Sequence, residues 1–354
     1  MPVEPLSTVP LVDRSELVHF GWDAEWADAF EAGGFPGEPG RISRVERGES
    51  DVVIESGIIR AMSDSQRSQS SLAPVTGDWV AVRQDEGTWA IEAILERRTA
   101  LVRRDPGERE EQQPLSANVD IVFLVHGFDR PFRAGKLERF LVLAWNAGST
   151  PVVVLTKADL SDDDRRDELV GIVQAVAPGV EVVVTSIESG VGLDRVHELL
   201  QPNRSGTLLG ESGAGKSSLV NALLSTDVQE TQPVRSGDSK GRHTTITRDM
   251  LRIPTGGVLI DTPGIRAVGL WDAEDALQQV FSDITDAAAS CRFNDCAHGA
   301  EPGCAVIQAV ESGEIDPRRI DRYRAMAEEL AESEQRLIER ERASNGPRRG
   351  RRKR

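Results

Sequence analysis

Gly210-Glu211-Ser212-Gly213-Ala214-Gly215-Lys216-Ser217 fits G-x-x-x-x-G-K-[ST], the pattern of a loop that wraps phosphate. Its glycines let consecutive backbone N–H groups turn inward around an anion. Lys216 reaches the terminal phosphates, and the Ser217 hydroxyl is placed to ligate Mg²⁺. Thr207-Leu208-Leu209 reads as a short buried strand entering the loop, and residues 219–224 read as the helix leaving it. Strand, loop and helix in that order predict an α/β nucleotide-binding domain, with residues 210–217 and Ser218 in its site. The alternative is a Gly-rich turn that binds nothing, and the flanking elements argue against it.

Guanine specificity needs an acceptor that pairs with both the ring N1–H and the exocyclic amine. Thr156-Lys157-Ala158-Asp159, after the apolar run 151–155, is a [NT]-K-x-D motif at the end of a parallel-type strand. Asp159 would take the bidentate contact, and Lys157 would lay its stem along the base and help order the phosphate loop. Alone, the same residues could be a helix start capped by Asp159. A second apolar run, 181–184, ends in Thr185-Ser186-Ile187, where a GTPase places its base-supporting Ser-Ala loop. Ile187 stands where that loop has alanine.

Downstream, Gly257-Val258-Leu259-Ile260 runs into Asp261-Thr262-Pro263-Gly264, a D-x-x-G motif. Asp261 would hold the Mg²⁺ shell through water, and the Gly264 N–H would sense the γ-phosphate. The polar segment 225–247 contains Gly241-Arg242-His243-Thr244-Thr245. One of the two threonines, Thr245 for the Mg²⁺ contact, is the expected switch residue, although the segment also reads as a plain surface loop. Ile265 comes after Gly264, where many GTPases carry the glutamine that orients the attacking water. His243 is a candidate replacement beside Lys216, Thr244 and Thr245 in the catalytic set, because imidazole donates or accepts near neutral pH. A histidine that only packs or caps is the competing reading. The missing glutamine implies slow intrinsic turnover.

The motifs run base, phosphate loop, switch threonines, D-x-x-G, whereas an ordinary GTPase starts with the phosphate loop. This is a circular permutation, tolerated because the old termini lie close together at the surface. The segment carboxy-terminal to Gly264 is then coupled to the nucleotide state.

That segment carries Cys291-x₄-Cys296-x-His298-x₅-Cys304, which uses all three cysteines of the chain. Three thiolates and one imidazole make a closed tetrahedral Zn²⁺ site with no position left for water, hence a structural metal. Odd parity excludes a full disulfide reading. With no signal peptide and no long apolar run, the expected setting is a reducing cytoplasm, without a membrane. Ile320, Tyr323, Met326, Leu330 and Leu337 recur at helical spacing, so a long amphipathic helix is expected to pack on the zinc module.

Upstream of the GTPase, apolar-rich segments at 41–45, 51–55, 57–62, 77–82 and 89–95 predict about five short strands, a small barrel of oligonucleotide/oligosaccharide-binding (OB) type. Such barrels often bind single-stranded nucleic acid, and a purely structural barrel is the alternative. Trp79 is expected to fill the barrel rather than stack on a base. Residues 1–38, with Trp22, Trp26, Phe30 and Phe35, read as an extension with a short amphipathic helix and no assigned chemistry.

From about Gly40 to about Tyr323 the chain resembles the RsgA/YjeQ family of circularly permuted, ribosome small subunit-dependent GTPases. The resemblance rests on GDWV at Gly77, Asn118-Val119-Asp120, TKAD, GESGAGKSSLVNAL, GRHTT, DTPG and the cysteine–histidine cluster with Glu301-Pro302-Gly303 inside it. It implies an amino-terminal OB domain, a permuted GTPase and a carboxy-terminal zinc domain. It also implies a late maturation factor of the small (30S) subunit whose GTP hydrolysis that particle stimulates. Ile187, the long amino-terminal extension and the tail depart from the pattern. The expected organisation is an extension (1–38), an OB barrel (39–110), a permuted α/β P-loop GTPase (114–269), a small α-helical zinc domain (270–343) and a basic disordered tail (344–354).

Over 354 residues the net charge is −16, an awkward sign for an RNA partner. The imbalance is local: residues 336–354 hold nine Lys/Arg against two Glu, without aromatics. That composition suits phosphate contacts with ribosomal RNA rather than base reading. Two readings compete: a monomeric enzyme-switch that hydrolyses GTP with Mg²⁺ on the 30S subunit, and a nucleotide-gated RNA-binding module in which hydrolysis is secondary. An adenine-specific P-loop ATPase is disfavoured by Asp159.

Overall fold

Residues 15–63, 72–104, 112–225, 249–261, 272–299 and 301–344 are described by the computed structural model. The chain divides into two compact units, residues 1–132 with 147–267, and residues 133–146 with 268–354.

In the first unit, β1 (Glu38–Glu46), β2 (Glu49–Ile54), β3 (Gly57–Met62), β4 (Trp79–Asp85) and β5 (Thr88–Ile94) close into a barrel of order β1-β2-β3-β5-β4. All neighbours are antiparallel except β3 and β5, which run parallel. This is the expected OB-type barrel. Ile42, Val52, Ile54, Val80, Val82 and Ile91 fill its interior.

Strand residues alternate between faces, so Arg41 and Trp79 point away from Ile42 and Val80. Trp79, expected inside the barrel, lies instead on its outer face. It is buried against Trp22 and Trp26, at centroid distances of 4.9 and 5.9 Å. The covering segment is α1 (Ser15–His19), the turn bearing Trp22, and α2 (Ala24–Ala32), whose first turn is capped by Asp23 accepting from the Trp26 N–H at 2.8 Å. Large aromatic rings supply most of the area that makes such a cover worthwhile. The extension therefore completes the barrel's second layer.

A hairpin not foreseen from sequence, β6 (Ala100–Arg104) with β7 (Gln112–Ala117), leads to Asn118-Val119-Asp120. That tripeptide ties barrel to sheet. Asn118 Nδ2 donates to the Gly77 carbonyl at 3.0 Å, and Asp120 Oδ2 accepts from the Ser205 N–H at 2.6 Å. Gly77 adopts φ +97°, and a Cβ there would sit 2.0 Å from the Ala117 carbonyl oxygen. Only glycine fits the turn that opens GDWV.

The central sheet contains β8 (Ile121–Gly127), β9 (Thr150–Thr156), β10 (Glu181–Val184), β11 (Ser205–Gly210), β12 (Met250–Arg252) and β13 (Val258–Ile260). Its order is β10-β9-β8-β11-β13-β12, parallel throughout except for the antiparallel edge strand β12. The apolar runs of β8 and β9 are almost wholly buried, as strands covered on both faces require. Between β8 and β9 the chain makes α3 (Ala134–Asn146), which falls in the second unit. The first unit's other helices are α4 (Asp163–Val176), α5 (Leu193–Leu199) and α6 (Lys216–Leu224).

In the second unit, α3 joins α7 (Glu274–Val280), α8 (Ser282–Ala288), α9 (Ala305–Glu311) and α10 (Pro317–Ser344). Glu138 of α3 is fully buried and accepts from Arg319 Nη1 at 2.8 Å and Arg322 Nη2 at 2.9 Å, both from α10. Arg319 also reaches Asp283 of α8 at 2.7 Å and lies over the Phe281 ring at 4.8 Å. As the helical spacing predicts, Ile320, Met326 and Leu330 of α10 are buried, and Tyr323 packs edge-on against Phe281. The side chain of Leu337 lies outside the described set.

Candidate nucleotide site and metal centre

Parallel α/β sheets bind ligands at the carboxyl ends of their strands, and the motifs gather there. The phosphate loop links β11 to α6, TKAD ends β9, Thr185-Ser186 comes after β10, and Asp261 after β13. Gly213 and Gly215 take φ of +76° and +94°, the left-handed conformations that only glycine adopts without strain. Lys216 begins α6 and donates through Nζ to the carbonyls of Gly210 and Glu211, at 2.8 and 2.7 Å. Ser217 and Ser218 stand in the first turn of that helix, both exposed.

The two motifs are wired together by hydrogen bonds. Buried Thr156 donates from Oγ1 to the Ala214 carbonyl at 2.6 Å, and Lys157 donates from Nζ to the Gly213 carbonyl at 2.8 Å. Ala158 opens a single 3₁₀ turn that leaves Asp159 exposed. The buried Ser186 hydroxyl donates to Asp159 Oδ1 at 2.6 Å, and its own N–H is taken by the Val191 carbonyl. Ser186 thus orients Asp159 through its hydroxyl. Ile187 is exposed beside it.

Asp261 lies near Asp249 and Lys216. Burial and the Asp249 charge raise its pKa, against the pull of Lys216. His243, Thr244, Thr245, Gly264 and the basic tail lie outside the described residues.

Two residues that no motif flagged join the site. Asp129, in the turn after β8, binds Lys157 Nζ at 2.7 Å, and its neighbour Arg130 reaches the carbonyls of Ser212 and Gly213 at 2.8 and 2.7 Å. The bonds from Arg130 and Lys157 hold the Asp129 carboxyl down to about 2. The available signal was positional: β8 lies between the phosphate-loop strand and the TKAD strand, so its turn opens onto the same edge.

In the second unit, the ligating atoms of Cys291, Cys296, His298 and Cys304 all lie within 4.8 Å of one another, the one such cluster among the described residues. His298 Nδ1 is 3.6 Å from both Cys291 Sγ and Cys304 Sγ, and those sulfurs are 3.9 Å apart. A tetrahedron with Zn–S bonds of about 2.3 Å has edges of about 3.8 Å. These four residues fit zinc. Burial and the neighbouring Arg324 lower the His298 pKa, favouring the neutral imidazole that ligates. Glu301 buttresses the turn by accepting the N–H groups of Ala297 and Gly299, at 3.1 and 2.6 Å.

An OB-type barrel leading into a sheet whose base motif precedes its phosphate loop defines a circularly permuted P-loop GTPase. The RsgA GTPase family model matches residues 94–271. A Streptomyces avermitilis protein called small ribosomal subunit biogenesis GTPase RsgA is 48% identical, over 88% of this chain and 85% of that relative. A protein of the same description from Methanosarcina acetivorans is 39% identical, over 88% and 84% of the two chains. Among solved structures, YjeQ from Thermotoga maritima superposes with a TM-score of 0.62 at 32% identity, over 83% of this chain and 98% of that one. YloQ, described as a circularly permuted GTPase, gives 0.60 at 26% identity, over 84% and 96%. The chain belongs to the RsgA GTPase family.

Proposed function

We infer that this chain hydrolyses GTP to GDP and phosphate during biogenesis of the small ribosomal subunit, and that docking on that particle accelerates the reaction. The observation that carries this reading is the joining of base motif to phosphate loop through Thr156 and Lys157. The relatives' printed names supply the particle.

In this reading Asp159, oriented by Ser186, pairs with the guanine edge, and Lys157 lies along the base. The loop N–H groups of residues 210–217 and the Lys216 ammonium hold the phosphates. Ser217 and Thr245 would ligate Mg²⁺, with Asp261 holding its water shell; the ion neutralises charge on the β- and γ-phosphates. Gly264 reads the γ-phosphate through its N–H, and His243 orients water where no glutamine is available. Cys291, Cys296, His298 and Cys304 would hold one structural Zn²⁺. A thiolate cluster of this kind suits a reducing cytoplasm. No described helix is long and apolar enough to cross a membrane.

Sedimentation with purified ribosomal subunits tests the partner. The chain loaded with a non-hydrolysable GTP analogue is expected to pellet with small subunits and to leave them when loaded with GDP. Equal pelleting with small and large subunits in both nucleotide states would contradict the reading.

A further inference from the structure

The nucleotide loop carries an anchor that belongs to none of its motifs. A trans peptide places its C=O and N–H on opposite sides. Fixing a carbonyl outward therefore turns the next residue's N–H to the other side of the loop. Three successive carbonyls are fixed in this way. Ala214 is held by Thr156 Oγ1, Gly213 by Lys157 Nζ together with Arg130 Nη2, and Ser212 by Arg130 Nη1. Thr156 and Lys157 belong to the base motif, whereas Arg130 comes from the turn after β8. Its fork spans two adjacent peptide units, a geometry that an ammonium group does not reproduce. Asp129 completes the arrangement, accepting from Arg130 Nε at 3.2 Å and from Lys157 Nζ at 2.7 Å. One carboxylate thus ties these two cations into one clamp.

We propose that Arg130 is a positioning residue of the nucleotide site: by holding the Ser212 and Gly213 carbonyls outward, it fixes the loop's shape, turning the Gly213 N–H toward the nucleotide's phosphates while the Ala214 N–H closes the loop on the Glu211 carbonyl at 3.2 Å. The role rests on the GTPase reading and extends it to a residue outside the signature motifs. Arg130 acts through the loop backbone. Its removal should weaken GDP and GTP alike, since both nucleotides depend on the loop shape it holds.

The test is the affinity of purified full-length wild type, Arg130→Ala and Arg130→Lys for fluorescent mant-GDP, with GTP turnover and nucleotide-free melting measured in parallel. Arg130→Ala is expected to bind mant-GDP about tenfold more weakly, the scale of one charge-assisted bond, and to raise KM for GTP by a similar factor with kcat changed less than about twofold. Arg130→Lys should recover part of the affinity, and the three nucleotide-free proteins should melt together. Wild-type affinity in Arg130→Ala would overturn the positioning role while leaving the GTPase reading standing. So would a nucleotide-free melting point that falls equally in both variants, which marks a merely structural arginine. A wild-type chain that binds no mant-GDP would overturn both.

Discussion

Asp159 is exposed, as a base-reading carboxylate must be, yet it is not free to wander, because the buried Ser186 hydroxyl fixes one of its oxygens. In the proposed reading the pair divides its work, Asp159 for recognition and Ser186 for orientation. Asp159→Asn replaces one acceptor by a donor, so GTP binding should weaken by about 2–3 kcal/mol, roughly 30- to 150-fold, with preference over ATP lost. Ser186→Ala removes only the neutral tether and should cost about 1 kcal/mol, roughly fivefold, with the preference kept. Competition of GTP and ATP against mant-GDP measures both. Full guanine preference in Asp159→Asn would remove the base assignment. The motif residues were legible in sequence because phosphate and guanine chemistry demand particular atoms at fixed local spacing. Arg130 was not, because its partners lie 82 and 83 positions away and are backbone carbonyls, which leave no mark on side-chain identity.

Elements were legible wherever their partners were implied by pattern. Five alternating segments give a barrel, and apolar runs before each motif give parallel strands. What a strand's outer face packs against is a tertiary fact. Trp79 shows this: its burial depends on Trp22 and Trp26, which precede the barrel in sequence. Helix α3 shows it again, since it lies between two strands of the central sheet in sequence but meets α10 through Glu138, 181 residues from Arg319. A fully buried carboxylate between two arginines makes a strong demand. Glu138→Gln keeps the shape but removes the charge, leaving Arg319 and Arg322 short of a counter-ion, and should destabilise by about 3 kcal/mol in urea unfolding. A change below about 0.5 kcal/mol, the range of an inconsequential substitution, would show that Asp283 alone satisfies Arg319. The cysteine–histidine cluster is the other defining feature of this unit. Chelation should remove one zinc per chain and lower the far-ultraviolet helix signal. Undiminished helix after complete metal removal would contradict a structural role.

At the scale of the whole molecule, permutation is the organising fact. Because TKAD precedes the phosphate loop, the D-x-x-G strand β13 is the last of the sheet, and the chain continues in sequence from Asp261 into the helical second unit. A net charge of −16 with nine basic residues concentrated in positions 336–354 suits a protein that avoids RNA in general and engages phosphate at one end. Ile265 stands where a water-orienting glutamine is common, so in the proposed reading water positioning falls to His243 and leaves room for the particle to assist. The most direct test is therefore GTP and ATP turnover by the purified chain, with and without small ribosomal subunits. Slow hydrolysis confined to GTP, rising at least about tenfold with the subunit, is the expected result. GTP turnover indifferent to the subunit, or ATP hydrolysed as readily, would contradict it.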